Sequence, residues 1–474
     1  MIRFGTSGWR GIIAKDFTYA NVSVVTQAIA NLIREEHARI PISVIVGYDT
    51  RFMSEDFAKT AAEILAGNNI KALLCKKDTP TPVIAYDIVF SKLAGGINFT
   101  ASHNSYKYNG LKYFSSYGGT ALPITTQKIE KYCAVIRNKD IKSIPFEYGI
   151  KKKLIKMYDP NAAYIKKMKE LINFQALKKS KIKVAIDVLH GVGNGYLNTL
   201  FNEVGISNIT INKNRDTMFE GNAPDPSEKN LIKLANIVKH KPYKLGLSVD
   251  GDADRFGIID FDGTFITPNQ VIPVLLHHLN KTRGWTGITA KSIMTTHLVN
   301  KLADKINVDV IETPVGFKYI CDVMVNNPDK FIIGGEESGG LTIRGHIPEK
   351  DGILACLLMT EAIVMSKKSV ADLLKDVKKL TGEILTSRVD FSLPEEVINS
   401  FTNTLKNRLP NNFAGIRIQK NITTDGYKFI LDDNTWIGFR FAGTEPVVRV
   451  YAEANSCTKL HKILKAGKAF IYGK

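Results

Sequence analysis

Three aspartates alternate in DGDADR (250–255), at Asp250, Asp252 and Asp254. Carboxylates this close repel one another, so the cluster is costly unless a cation neutralises it. Oxygen-only donors suit Mg²⁺ or another hard cation. An EF-hand begins in a similar way but fails here: its sixth position needs Gly and holds Arg255, and its twelfth needs Glu and holds Phe261. An acidic surface turn is the plainer alternative; the apolar run before the triplet and Arg255 after it favour a metal site.

Other clusters offer different chemistry. In TASHNSYKYNGLKYF (100–114), Ser102 follows an apolar run, with His103 beside it and Lys112 ten residues on. A hydroxyl there acts as nucleophile or phosphoryl carrier once a base or metal activates it; a polar turn capping the next element is the alternative. GGEESGG (334–340), followed by RGHIPEKDG (344–352), presents Glu336 and Ser338 to a ligand among glycines that admit close approach. In RFAGTEPVVR (440–449), Arg440 with Gly443 and Thr444 can cradle a phosphate or simply form a β-turn. FGTSGWRG (4–11) places Arg10 in a glycine-rich stretch, suited to bidentate phosphate contact or to a structural role. No G-x-x-x-x-G-K-[ST] occurs, and HGVGNGY (190–196) has Tyr196 where a dinucleotide fingerprint needs its third glycine, so kinase or dinucleotide chemistry has no support.

The segments that must hold these residues repeat one design. Apolar runs end in polar turns at 43–51, 95–104, 182–191, 243–255 and 330–340, and each reads as a buried strand entering a loop. Helical spacing lies between them, as in 19–38 and in 55–67, the latter with Ser54 as its expected cap and Gly67 at its end. The alternation predicts α/β layers with a parallel or mixed sheet, whose ligands bind beyond the carboxyl ends of the strands. The polar clusters fall there. The lysine-rich stretch 137–164 and the segment 380–396 read as linkers, with a weaker break near 256–268. The alternation in 436–454 suggests exposed strands around one turn in a small α+β domain.

The bulk properties fit a globular enzyme. Of 474 residues, 44% are hydrophobic and 23% charged, enough for several domains with their own cores. No run approaches the length of a membrane span and the N-terminus does not resemble a secretory signal. The five cysteines, Cys75, Cys133, Cys321, Cys356 and Cys457, are scattered and form no C-x-x-C pair, which suggests thiols in a reducing compartment. The formal charge of +18 is spread along the chain without an aromatic-basic ladder. It favours anionic small molecules over nucleic acid or membrane as partners.

In order and spacing the five clusters resemble the α-D-phosphohexomutase superfamily, and within it the phosphoglucomutase/phosphomannomutase branch. The phrases GYDTRF (47–52), TPTPV (79–83) and TPVGFKY (313–319) share that resemblance, which runs over essentially the whole chain. It implies three related α/β domains with mixed sheets (1–145, 155–257 and 258–378) and a smaller C-terminal α+β domain (385–474) around a central cleft. It further implies that Ser102 is the phosphoserine and that Asp250, Asp252 and Asp254 bind Mg²⁺ together with a phosphoserine oxygen. Glu336 and Ser338 would hold sugar hydroxyls, Lys318 would assist in substrate binding, and Arg440, Gly443 and Thr444 would hold the phosphate that is not reacting. Arg10, His103 and Lys112 would lie near the transferring phosphoryl group, with Lys112 the candidate acid/base and Arg255 an added positive charge.

The implied activity is interconversion of hexose 1- and 6-phosphates, of glucose first and mannose second, with a hexose 1,6-bisphosphate as intermediate and activator. The setting would be cytoplasmic and the enzyme a monomer or homodimer. Three positions depart from the family pattern: Ser105 replaces a usual Pro, Ala442 a usual Ser, and Gly340 stands where relatives vary. A mutase for glucosamine or pentose phosphate, or a non-catalytic phosphosugar-binding protein, are the alternatives.

Overall fold

A computed structural model describes residues 2–37, 42–407, 409–441 and 446–473. The chain builds four sheets in sequence. The first runs Trp9–Ile12, Tyr108–Ser115, Gly95–Phe99, Ser43–Tyr48, Lys71–Cys75 and Ile155–Tyr158. The second runs Phe265–Ile266, Phe256–Asp260, Leu245–Val249, Lys183–Asp187 and Ser207–Ile211, and the third Val308–Thr313, Gly287–Ser292, Phe331–Gly335 and Leu341–Ile343.

These three sheets share one device. Gly95–Phe99 is parallel to its neighbour Ser43–Tyr48 but turns back antiparallel into Tyr108–Ser115. Leu245–Val249 does the same into Phe256–Asp260, and Phe331–Gly335 into Leu341–Ile343. Each reversal is a tight connection at a strand's carboxyl end, and the three connections carry Ser102, the aspartate triplet and Glu336. The parallel strands are buried along most of their length, as expected for sheets covered by helices on both faces.

Helix Gly352–Ser366 shows how the second and third sheets are joined. Asp351 caps it by accepting from the Leu354 amide, and every residue from Gly352 to Ile363 is buried. A helix apolar all round must be enclosed. Its leucines and isoleucines belong to one core that also takes in Leu245, Leu247 and Ile258 of the second sheet and Ile332 and Ile333 of the third.

The fourth sheet is wholly antiparallel: Leu385–Ser392, Val447–Ala454, Trp436–Phe441, Tyr427–Leu431, Ile416–Ile422 and Asn412–Phe413, with helices Glu395–Asn407 and Cys457–Ile471. Its two strands in 436–454 are not exposed. They lie inside the sheet, and Trp436, Ile437, Phe439, Val448 and Val450 are core residues.

Three further expectations change. The stretch 137–164 is not a loose linker: it forms helix Phe146–Lys151, strand Ile155–Tyr158 and the start of helix Asn161–Leu171. That strand lies in the span 155–257 assigned to a second domain, yet it pairs with Lys71–Cys75 as the edge of the first sheet. Its exposed Lys156 suits an edge, where charge discourages further pairing. Ser54 does not cap its helix; it is the first helical residue, and its hydroxyl donates to Asp49 at 2.9 Å.

Candidate active site

The Ser102 and aspartate turns meet face to face. Ser102 adopts φ 53°, a left-handed conformation that a residue with a Cβ takes only when its surroundings impose it. Its amide donates to Thr100 Oγ1 at 2.8 Å, and its hydroxyl donates to Asp250 Oδ2 at 2.6 Å across 148 residues of sequence. His103 Nδ1 lies 3.3 Å from the same hydroxyl oxygen. Gly251 admits this approach, since a Cβ there would stand 2.7 Å from the Ser102 carbonyl oxygen and 2.9 Å from Pro224 Cγ. Gly251→Ala is therefore expected to displace the Ser102 turn and lower kcat by about 10²-fold, the scale of a misplaced reacting group. Steady-state kinetics on the folded variant checks this, and kcat close to that of wild type would contradict it.

Lys112, on the strand after the Ser102 turn, is fully buried and donates to Asp252 Oδ2 and Asp254 Oδ2, each at 2.6 Å. Burial alone would lower its pKa, but Asp252 and Asp254 outweigh that and carry it above the usual lysine value. Lys112 thus places a positive charge between Asp252 and Asp254.

The triplet is buried at all three positions, with ligand oxygens within 4.8 Å of one another. The three carboxylates are unequal. Asp252 and Asp254 have lowered pKa values because Lys112, and for Asp254 also Lys350, override the effect of burial. Asp250 accepts only from the neutral Ser102 hydroxyl and the Arg255 amide, so burial and its two acidic neighbours push it well up. Asp252 Oδ1 and Asp254 Oδ1 are buried without a hydrogen-bond partner. Orphaned carboxylate oxygens beside a destabilised third carboxylate are what a hard divalent cation would satisfy, so the donor set fits Mg²⁺.

Cations gather around this centre. Arg10 Nη1 donates to Asn104 Oδ1 at 2.6 Å, and burial followed by Arg255 draws its pKa down to about 10, still cationic at neutral pH. The Arg255 amide donates to Asp250 Oδ1 at 3.0 Å, and its Nε is buried with no partner. His103 is driven well below its ordinary value by burial, then by Arg255 and Arg10, and is neutral.

The Glu336 turn joins the metal turn through its backbone, as the Phe256 amide donates to the Gly339 carbonyl at 3.0 Å. Glu336 Oε1 accepts from the Gly316 amide at 2.7 Å, and the Ser338 hydroxyl is 3.4 Å from Glu336 Oε2. Burial and Glu337 push Glu336 up to about 7. Lys318, just beyond Gly316, is largely buried and its pKa is lowered by burial.

Arg440 is not tied to this cluster by any hydrogen bond or ion pair among the described residues. Its Nε donates to Asp425 Oδ2 at 3.2 Å, and the same oxygen accepts from the Val315 amide at 3.1 Å, next to the Glu336 turn. Ala442, Gly443 and Thr444 lie outside the described residues.

Two groups at the site carry no signal of their own in the sequence. Lys350 reaches Asp254 Oδ2 at 2.9 Å, and Gly340 leaves it room, since a Cβ there would lie 2.3 Å from Lys350 Cδ. Thr81, inside the phrase TPTPV, donates its hydroxyl to Asp252 Oδ2 at 2.5 Å and its amide to the Asp252 carbonyl at 3.0 Å. Each contact joins residues far apart in the chain, so local pattern is silent about it.

Comparison with known proteins gives the same outline. Four family models match in order: phosphoglucomutase/phosphomannomutase α/β/α domain I at residues 1–140, domain II at 162–263, domain III at 267–380 and the C-terminal domain at 366–466. A phosphoglucomutase/phosphomannomutase of Thermococcus kodakarensis is 28% identical over 98% of this chain and 97% of its own. A protein of Methanosphaera stadtmanae named as a probable phosphoglucosamine mutase is 27% identical over 99% of this chain and 98% of its own. A crystal structure from Thermus thermophilus, described as a putative phosphomannomutase, superposes with a TM-score of 0.86 at 30% identity, covering 100% of this chain and 99% of that one.

Proposed function

The chain belongs to the phosphoglucomutase/phosphomannomutase family of the α-D-phosphohexomutase superfamily, and from that premise we propose that it interconverts hexose 1-phosphate and hexose 6-phosphate. Glucose phosphate is the first substrate and mannose phosphate the second, with a phosphorylated Ser102 as the carrier. The observation that carries this reading is the Ser102 hydroxyl 2.6 Å from a buried aspartate triplet whose other members are paired with Lys112.

Donation breaks the Oγ–P bond at Ser102 and forms a P–O bond to the free sugar hydroxyl; that hydroxyl gives up its proton as Ser102 Oγ takes one up, so the proton count is unchanged. The hexose 1,6-bisphosphate then returns its other phosphoryl group to Ser102 Oγ. Phosphoryl transfer asks chiefly for positioning and charge neutralisation. Lys112, Lys350, Arg10 and Arg255 supply fixed positive charge around the turn. His103 Nδ1, 3.3 Å from Ser102 Oγ, is placed to exchange a proton there. Asp250, Asp252 and Asp254 would hold Mg²⁺, which when bound would supply further positive charge for phosphoryl transfer. Glu336 and Ser338 orient the sugar; Arg440, with Gly443 and Thr444, receives the distal phosphate; and Lys318 assists in substrate binding. The five free thiols fit a reducing compartment, and we place the enzyme in the cytoplasm. Among the described residues no helix is long and apolar enough to cross a membrane.

A mutase for glucosamine phosphate is the second reading, favoured by the Methanosphaera relative at almost the same identity as the Thermococcus one. A coupled assay with glucose, mannose and glucosamine 1-phosphates, Mg²⁺ and a trace of glucose 1,6-bisphosphate separates the two. We expect turnover of glucose 1-phosphate that stops on chelation and returns with Mg²⁺. Activity on glucosamine phosphate alone would shift the assignment, and no turnover of any sugar would overturn it.

A further inference from the structure

We propose that Arg51 is a positioning residue for the phosphoryl carrier, fixing the 102–108 turn through its backbone carbonyls, a proposal that rests on the reading of Ser102 above. A guanidinium has five N–H donors in a rigid planar fork. All five of those on Arg51 are used. Nε donates to Asp49 Oδ2 at 3.1 Å. Nη1 donates to the carbonyls of Ser105 at 2.8 Å and Tyr108 at 3.0 Å. Nη2 donates to the carbonyls of Ser102 and Asn104, each at 2.5 Å. Four carbonyls of one turn converge on one side chain, and one of them belongs to the nucleophile.

Arg51 is itself fully buried, and its five donors are all taken by Asp49 and the turn, which leaves none for substrate. Its carboxylate partner is equally fixed: Asp49 Oδ1 accepts from the Ser54 hydroxyl at 2.9 Å and the Arg51 amide at 3.0 Å. The Ser54 hydroxyl in turn accepts from Asn109 Nδ2 at 3.0 Å, beyond the far end of the same turn. From the second sheet's connection, Phe219 lies over the guanidinium with 5.0 Å between Arg51 Cζ and the ring centre. Arg215 Nε donates to the Thr50 carbonyl at 3.3 Å. The clamp is therefore closed by a segment outside the first sheet.

The physical need is plain. Ser102 holds a left-handed φ of 53°, and four carbonyls of its turn pointing at one spot require donors. Arg51 meets both demands. A lysine has the charge but only three donors from a single point, and cannot hold four diverging carbonyls and Asp49 at once. The glutamine side chain lacks the charge as well.

The test compares full-length wild type, Arg51→Lys and Arg51→Gln. It measures kcat and KM for glucose 1-phosphate, Ser102 phosphorylation by intact mass after incubation with glucose 1,6-bisphosphate, and hydrogen exchange without substrate. For Arg51→Lys we expect a folded protein, KM within about threefold of wild type and kcat lower by about 10²-fold. Exchange should rise at the amides of Ser102, Asn104 and Tyr108 well beyond any rise in strand Ser43–Tyr48. Arg51→Gln should be worse in kcat; if it does not fold, Arg51→Lys decides. A folded Arg51→Lys with kcat close to that of wild type and unchanged exchange in the turn overturns the proposal, as does a uniform rise in exchange across the first sheet. If wild type turns over no sugar phosphate, the functional reading fails by itself, and the exchange pattern still decides whether Arg51 holds the turn.

Discussion

Ser102→Ala is expected to abolish phosphoryl exchange, with kcat falling by roughly 10⁴-fold or more while the protein stays folded. Among the described residues, two hydroxyls donate into the aspartate triplet, those of Ser102 and Thr81. They are not equivalent. Thr81 Oγ1 also accepts from Asn98 Nδ2 at 2.9 Å, so its oxygen is committed to the fold. Ser102 Oγ has His103 Nδ1 at 3.3 Å and sits on the turn that reverses the first sheet. Intact mass after incubation with glucose 1,6-bisphosphate should show one added phosphoryl group on wild type and none on the variant. Removing the hydroxyl leaves Asp250 Oδ2 without its donor, at a cost of about 1–3 kcal/mol. Ser102→Gly loses the same hydrogen bond but relieves the left-handed strain, so it should be as inactive as Ser102→Ala and more stable by about 1 kcal/mol. Near-normal turnover in either variant would place the carrier elsewhere.

What the sequence reveals of this site follows from where its signals are local. The aspartate triplet carries its own argument, because three carboxylates alternating within DGDADR repel one another and so favour a neutralising cation. Ser102, Glu336 and the strand ends that bear them are legible through apolar runs stopping at polar turns, and all three turns prove to be the reversal after a parallel strand. Contacts that close over long distances are not legible. Nothing near Lys350 announces Asp254, nothing near Thr81 announces Asp252, and Arg51 stands in a phrase whose only signal is its resemblance. The left-handed backbone of Ser102 is equally hidden, since serine gives no hint of it. The stretch 137–164 misleads for a related reason. Its lysines look like a solvated linker, but an edge strand has one open side where lysines are well placed, and pairing to Lys71–Cys75 is invisible to local pattern. Ser54 looks like a cap because serine before a helix usually is one, whereas here its hydroxyl serves Asp49.

Lys112→Met should have the second largest effect, and it should act on activity and stability together. Lys112 is the counter-ion of Asp252 and Asp254 at 2.6 Å from each, fully buried, and methionine replaces it with an apolar chain of similar length. Two carboxylates then lose their nearest cation, and Asp254 keeps only Lys350 at 2.9 Å. Breaking a buried ion pair from one side typically costs about 3–5 kcal/mol. The transition state loses a fixed positive charge beside the transferring group as well, a contribution on the order of 10²–10³ in kcat. On the proposed assignment, in which Glu336, Ser338 and Arg440 bind the substrate, affinity should change little, so kcat falls while KM stays within a few-fold. The two effects can be pulled apart. Adding Asp254→Asn to Lys112→Met removes one of the stranded charges and should recover part of the lost stability, read as a rise in Tm over the single variant. It should recover no activity, because the donor set for the cation is then smaller and the ammonium is still absent. If the double variant regained turnover along with stability, the role of Lys112 would be to hold the aspartates apart, and its place beside the reacting phosphoryl group would have to be given up.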